Sequence, residues 1–183
     1  MENLLPEHLG GHAGKTHLFP AVLEYVKNKY DIRTMIDIGC GPAGMVELAI
    51  SMGIDCMGVD GDWTVKRNIG VELHDFTKGP FKIEPRELAY SCEFVEHVEE
   101  RYVPNYMETF MSCKYALITY APPGHVGHHH VNCQPEEYWI EKFADHGFWY
   151  DVGTTAEIRT IDDPTKKKKN FIKERGLFFQ RRK

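Results

Sequence analysis

An α/β fold, with a mostly parallel sheet covered by helices on both faces, is what this sequence predicts, and three observations predict it. Strand-like runs alternate with segments of helical period from residue 18 to about residue 147. One of those runs, Met35-Ile36-Asp37-Ile38, breaks at once into Gly39-Cys40-Gly41-Pro42-Ala43-Gly44 and then a helical stretch, the strand–turn–helix unit of parallel sheets. The C-terminal part reads as strands without a helix, which predicts one antiparallel hairpin at the sheet edge.

The elements follow in order. Residues 1–17 are rich in Gly and His and show no period, so they read as an N-terminal arm or lid; residues 18–183 read as a single domain. Leu18, Val22 and Val26, with Phe19, Leu23 and Tyr30, recur at i, i+3 and i+4 and predict an amphipathic helix. After the first strand and its glycine turn, Met45 to Met52 is helix-compatible. Asp55 to Asp60 reads as a second strand, Trp63 to Asn68 as a short helical piece, Gly70 to Leu73 as a third strand and Leu88 to Cys92 as a fourth. Glu99 to Met111 keeps a helical rhythm through Tyr102, Tyr106 and Phe110, and Tyr115 to Tyr120 reads as a fifth strand ended by Pro122-Pro123-Gly124. Pro135, Glu136 and Glu137 suit the first turn of a helix that stops near Gly147. Phe148 to Ile161 and Leu177 to Gln180 read as the last two strands.

Composition excludes several classes. The length suits one domain, and no apolar run approaches the roughly 20 residues that span a bilayer. The N-terminus has neither a basic region nor a long apolar stretch, so a cytoplasmic location is expected. Five cysteines without a Cys-x-x-Cys pair read as reduced thiols, not a disulfide framework or a zinc ribbon. The net charge of −5 is unevenly spread: residues 164–183 carry nine Lys/Arg against Glu174, and the acidic remainder is a poor general surface for nucleic acid. The basic segment 166–183, with Lys166–Lys169, is the candidate contact for an anionic acceptor.

The glycine turn carries the first chemical reading. Gly39, Gly41 and Gly44 let backbone approach a ligand, and the helix that follows turns its N-terminal amides toward it. Asp60 ends the next strand, where a carboxylate can accept both hydroxyls of a ribose. Together they point to a nucleoside-containing cofactor.

Asp37-Ile38-Gly39-Cys40-Gly41-Pro42 resembles the first motif of class I S-adenosylmethionine (SAM)-dependent methyltransferases, acid-x-Gly-x-Gly. Asp60, then His74-Asp75-Phe76, then Ser91-Cys92-Glu93-Phe94-Val95-Glu96-His97, then Gly176 to Arg182 are similar to that family's later landmarks, in its order. The resemblance runs from about Met35 to the C-terminus and departs at the third glycine, which stands at 44 and not 43. It implies a Rossmann-like seven-stranded sheet of order 3-2-1-4-5-7-6. It also implies SAM as cofactor, S-adenosylhomocysteine (SAH) as product, and a cofactor site of Asp37, Gly39, Cys40, Gly41, Gly44, Asp60, Gly61, Asp62, Asp75, Phe76 and Cys92. The glycine spacing also matches the dehydrogenase fingerprint, which makes an NAD-dependent oxidoreductase a rival.

A hydroxyl acceptor must lose a proton, to a base or with help from a metal. Glu93, Glu96 and His97 fall at i, i+3 and i+4, and His125, His128, His129 and His130 follow the fifth strand at the same sheet edge. His97 and His129 are the candidate catalytic residues. The set Glu93, Glu96, His97 and His129 resembles the metal site of small-RNA 2′-O-methyltransferases and would suit Mn²⁺, Fe²⁺ or Zn²⁺ better than Mg²⁺. The expected activity is O-methylation of a sugar, glycan or small metabolite. The alternatives are metal-assisted methylation of RNA hydroxyls and a non-catalytic SAM-binding accessory protein. Lys15, in the arm, is placed near the methionyl carboxylate of the cofactor.

Overall fold

The computed structural model describes residues 4–11, 14–163 and 170–182. Seven strands form one sheet: β1 (Thr34–Ile38), β2 (Asp55–Asp60), β3 (Glu72–Leu73), β4 (Arg86–Ser91), β5 (Cys113–Ile118), β6 (Phe148–Tyr150) and β7 (Leu177–Arg181). Their order is β3-β2-β1-β4-β5-β7-β6, as expected, and β7 runs antiparallel to both neighbours. Register places Ile38 beside Val59, Ser91 beside Ile118, and Ile118 beside Leu177. The carboxyl ends of β1, β2, β4 and β5 therefore meet the amino end of β7 at one edge.

Alternation along the strands decides which helix each face receives. Met35, Leu88, Tyr90, Leu117 and Phe178 point to one side, where they pack with α1 (Pro20–Tyr30), α2 (Gly44–Ser51), α5 (Val152–Thr160) and α6 (Phe171–Arg175). Ile36, Ala89, Ala116, Ile118 and Phe179 point to the other, against α3 (Val103–Met111) and α4 (Glu136–Asp145). There Phe143 and Phe179 stack with centroids 4.3 Å apart. Truncating so buried an aromatic to alanine costs about 3–5 kcal/mol. None of the five cysteines is paired.

Three expectations need correction. Only Phe148–Tyr150 of the run to Ile161 is strand; Asp151 then accepts the Thr154 N–H at 2.9 Å and caps α5. Its β-branched residues Thr154, Thr155 and Ile158 are buried at helical spacing. Residues 63–68 form turns and bends without a helix, because the Asp62 carboxylate takes the Thr64 N–H and hydroxyl, each at 2.7 Å. The C-terminal pairing is antiparallel as expected, but helices α5 and α6 lie between its two strands. The Lys166–Lys169 run lies outside the described residues.

Candidate functional site

The glycine turn is tied to the end of β2 before any ligand is considered. The N–H groups of Gly39 and Cys40 both donate to the Val59 carbonyl, at 2.9 and 3.2 Å. Gly39 has φ 74°, and a Cβ there would lie 2.4 Å from the Phe94 ring, so only glycine fits. Ala43, where the methyltransferase pattern has its third glycine, adopts the left-handed φ of 68°. Gly44 meets the N-terminal arm: its N–H donates to Thr16 Oγ1 at 3.2 Å, and a Cβ would press on Thr16 at 2.9 Å. The Cys40 side chain turns toward Gly58, and burial pushes its thiol far up.

Asp60 knots this edge together. One carboxylate oxygen accepts the Gly41 N–H at 2.8 Å; the other accepts the Asp62 N–H at 2.8 Å and Arg67 Nη2 at 3.0 Å. Arg67 also donates to the carbonyls of Gly41 and Asp62, at 2.7 and 2.9 Å. Both members of the ion pair are about nine-tenths buried. Charge alone did not single out Arg67 among the many surface cations. Asp62 is buried and serves its own turn with Thr64.

These groups surround a cavity of about 270 Å³, just below the roughly 300–1,000 Å³ usual for small-molecule sites. Asp37, Gly39, Cys40, Gly41, Asp60 and Gly61 form one part of its wall, and Asp75, Phe76 and Cys92 another; Gly44 and Asp62 stand outside it. Burial, and after it the nearby Asp60 charge, pushes Asp37 up to about 8. Burial also raises Asp75, but hydrogen bonds from Thr77 and His8 outweigh it and hold that carboxylate low. Tyr90 lines the cavity with its hydroxyl buried and without a partner. Tyr90 alternates with core residues of β4, so no sequence signal separated it from them.

The arm covers this cavity. His8 Nε2 meets Asp75 Oδ2 at 3.2 Å, Leu9 packs on Gly61, and His128 Nε2 meets the Glu7 carbonyl at 2.8 Å. Lys15, Thr16 and His17 line it from the same segment.

The acidic and imidazole groups adjoin. Glu93, with φ 55°, places its N–H on Thr119 Oγ1 at 2.8 Å, and that hydroxyl donates back to Glu93 Oε1 at 3.1 Å. Glu96 is fully buried and neither carboxylate oxygen has a hydrogen-bond partner. Burial and then the Glu93 charge push it upward. Its carbonyl accepts the N–H groups of Val131 and Asn132, each at 3.0 Å, which sews the histidine loop to the 3-10 turn Val95–His97. His97 Nδ1 is buried without a partner, and burial followed by the His130 charge pushes His97 down to about 4. His97 and His130 meet edge to face at 4.9 Å. One ligand atom from each of Glu96, His97 and His130 lies within 4.8 Å of the others.

Of the four expected metal ligands, Glu96 and His97 thus come together, while Glu93 and His129 stand outside the group and His130 completes it. His129 takes a left-handed φ of 46° and lines the cavity near His8. Three consecutive histidines present no spacing from which to choose; that backbone turn makes the choice.

Strand order, with β7 antiparallel to its neighbours, defines the class I methyltransferase fold, and the cavity lies at its carboxyl edge. Solved structures agree. The chain is similar to magnesium protoporphyrin IX methyltransferase from Synechocystis with bound SAM (15% identity, TM-score 0.59, covering 87% of this chain and 76% of that one). It is also similar to the methyltransferase domain of bacterial CtHen1 (13%, 0.61, 90% and 97%) and to the sugar N-methyltransferase KedS8 from Streptoalloteichus (12%, 0.65, 94% and 90%). No protein-family profile and no curated protein sequence matches the chain. No helix among the described residues is long and apolar enough to cross a membrane.

Proposed function

We propose that this chain is a SAM-dependent methyltransferase acting on a hydroxyl of a sugar, glycan or small metabolite. One observation carries the reading: a single cavity brings the glycine turn, Asp60, Asp75 and Phe76 into the company of His97 and His130. SAM bound there would supply a methyl group on a cationic sulfur, activated for in-line displacement. Asp60 would take the ribose hydroxyls on its remaining lone pairs, and Asp75 with Phe76 would take the adenine edge and face. Gly61, Asp62 and Cys92 complete that wall or brace it. Asp37, a buried carboxyl without a cation beside it, suits the cofactor's ammonium group. The glycine turn, Gly44 with α2, and Lys15 face the carboxylate end. The arm, residues 1–17, serves as a lid that excludes water.

The acceptor's proton is the task of the second cluster. His97 is neutral near pH 7 and its Nδ1 is unpartnered, so it can accept a hydrogen bond from the hydroxyl. His129, on the cavity wall, would orient the acceptor. The buried oxygens of Glu96, with His97 and His130, also fit a divalent transition metal, which would acidify the hydroxyl. That group favours a second reading, methylation of RNA 2′-hydroxyls, which predicts loss of turnover with a chelator and binding that weakens steeply with salt.

Calorimetric titration of SAM, SAH and NAD, with metal content measured before and after chelation, tests the assignment. SAM and SAH binding without NAD binding is expected. NAD binding, or no nucleoside binding by folded protein, overturns it. SAM binding with no methyl transfer to any acceptor in a crude metabolite extract would instead identify an accessory protein.

A further inference from the structure

Glu93 stands outside the metal group, so the carboxylate expected there is left without that task. It lines the cavity all the same, partly buried, just past the carboxyl end of β4. Its left-handed φ of 55° is costly for a residue with a long side chain, and such strain gathers where a side chain is held for use. Thr119 holds it. That residue is fully buried, and its N–H donates to the Ser91 carbonyl at 3.0 Å. Its hydroxyl takes the Glu93 N–H at 2.8 Å and donates to Oε1 at 3.1 Å, which fixes the carboxylate between the ends of β4 and β5.

The charge of the wall has the same bias. Among its described residues Lys15 is the one Lys or Arg, against Asp37, Asp60, Asp75, Glu93 and Glu99. On the cofactor side Arg67 meets Asp60, His8 meets Asp75, and burial keeps Asp37 mostly protonated at pH 7. Negative charge on the histidine side rests with Glu93 and Glu99, the latter paired at 2.9 Å with an exposed Arg101, where such a pair is weak. His97 beside them is held neutral near pH 7 by its burial and adds no positive charge. A cleft lined by one sign of charge draws in the opposite sign. We propose that Glu93 anchors a cationic amine on the acceptor, so that the substrate class is an amino sugar or similar hydroxy amine. The ammonium sits on the Glu93 carboxylate, the neighbouring hydroxyl faces His97, and an anionic acceptor is repelled. The inference rests on the methyltransferase reading and adds the acceptor's charge to it.

The test uses the full chain saturated with SAH and titrated at about pH 7 with glucosamine, glucose and glucuronate. Glucosamine should bind about tenfold more tightly than glucose, the worth of one charge-assisted hydrogen bond, and glucuronate more weakly than either. Glu93→Gln, which keeps an oxygen for the Thr119 hydroxyl, should abolish the preference while SAH affinity stays within about twofold. Glu93→Asp keeps the charge and tolerates the left-handed backbone but withdraws the carboxylate; it should lose most of the preference, and it serves if the glutamine variant fails to fold. Equal binding of the three sugars, no binding of glucosamine, or a preference undiminished in whichever variants fold overturns the subsite alone. A fall of more than about tenfold in SAH affinity in Glu93→Gln would put the residue at the cofactor and overturn it as well. Failure of the wild-type chain to bind SAH overturns the methyltransferase reading and the subsite with it.

Discussion

Cofactor binding should release a proton, and Asp37 is its source. The carboxyl is 3% exposed and pushed up to about 8, so at pH 7 about nine-tenths of the free protein holds it protonated. An ammonium group at about 4 Å, in an effective dielectric of about 20, stabilises the carboxylate by about 4 kcal/mol, or about three pKa units. That would bring Asp37 to about 5 and ionise it, so binding at pH 7 should expel about 0.9 proton, and much less at pH 9. Calorimetry of SAH binding in buffers of different ionisation enthalpy reads this number as a slope. Asp37→Asn should bind without the release. A wild-type release below about 0.3 proton, or the same release from the asparagine variant, would refute the placement of the ammonium at Asp37.

Four further outcomes are expected. The folded value of Asp37 lies above its ordinary 3.8, so its contribution to stability is present at low pH and lost as pH rises through about 8; thermal melts of the ligand-free protein should fall from pH 6 to 8.5, and less so in Asp37→Asn. Asp60→Asn should destabilise the chain by about 3–5 kcal/mol, because it strands the buried Arg67 guanidinium; a loss under about 1 kcal/mol in urea unfolding would contradict that role. Replacing His130 by alanine should weaken Mn²⁺ binding about tenfold or more while His129→Ala changes it little, as paramagnetic resonance titration can show. His8→Ala, which removes a contact that the cofactor must displace from Asp75, should speed SAH association about fivefold in stopped flow, the worth of one hydrogen bond near 1 kcal/mol.

Much of this molecule could be read from local patterns. Asp37, Gly39, Gly41 and Asp60 were legible because a strand end, a tight turn and the next strand end are short-range constraints, and the sheet order followed from a resemblance carried by those same positions. What failed had a different physical origin. The stretch after Phe148 contains Val152, Thr154, Thr155 and Ile158, residues that favour strands, but a single cap at Asp151 and burial on one face made them helical. His130 and not His129 joins Glu96 and His97 because of a backbone turn that no spacing encodes. Arg67 matters through burial, and burial of a long cation is a tertiary fact that composition hides.

The arm's contacts have a kinetic consequence. His8 occupies Asp75, Leu9 lies on Gly61 and Thr16 on Gly44, so the closed arm rests on the very groups expected to receive the cofactor. SAM bound as proposed would have to displace those contacts first. On the proposed function, the exchange of spent product for fresh cofactor would be clocked by how often the described arm residues, 4–11 and 14–17, lift from the rim.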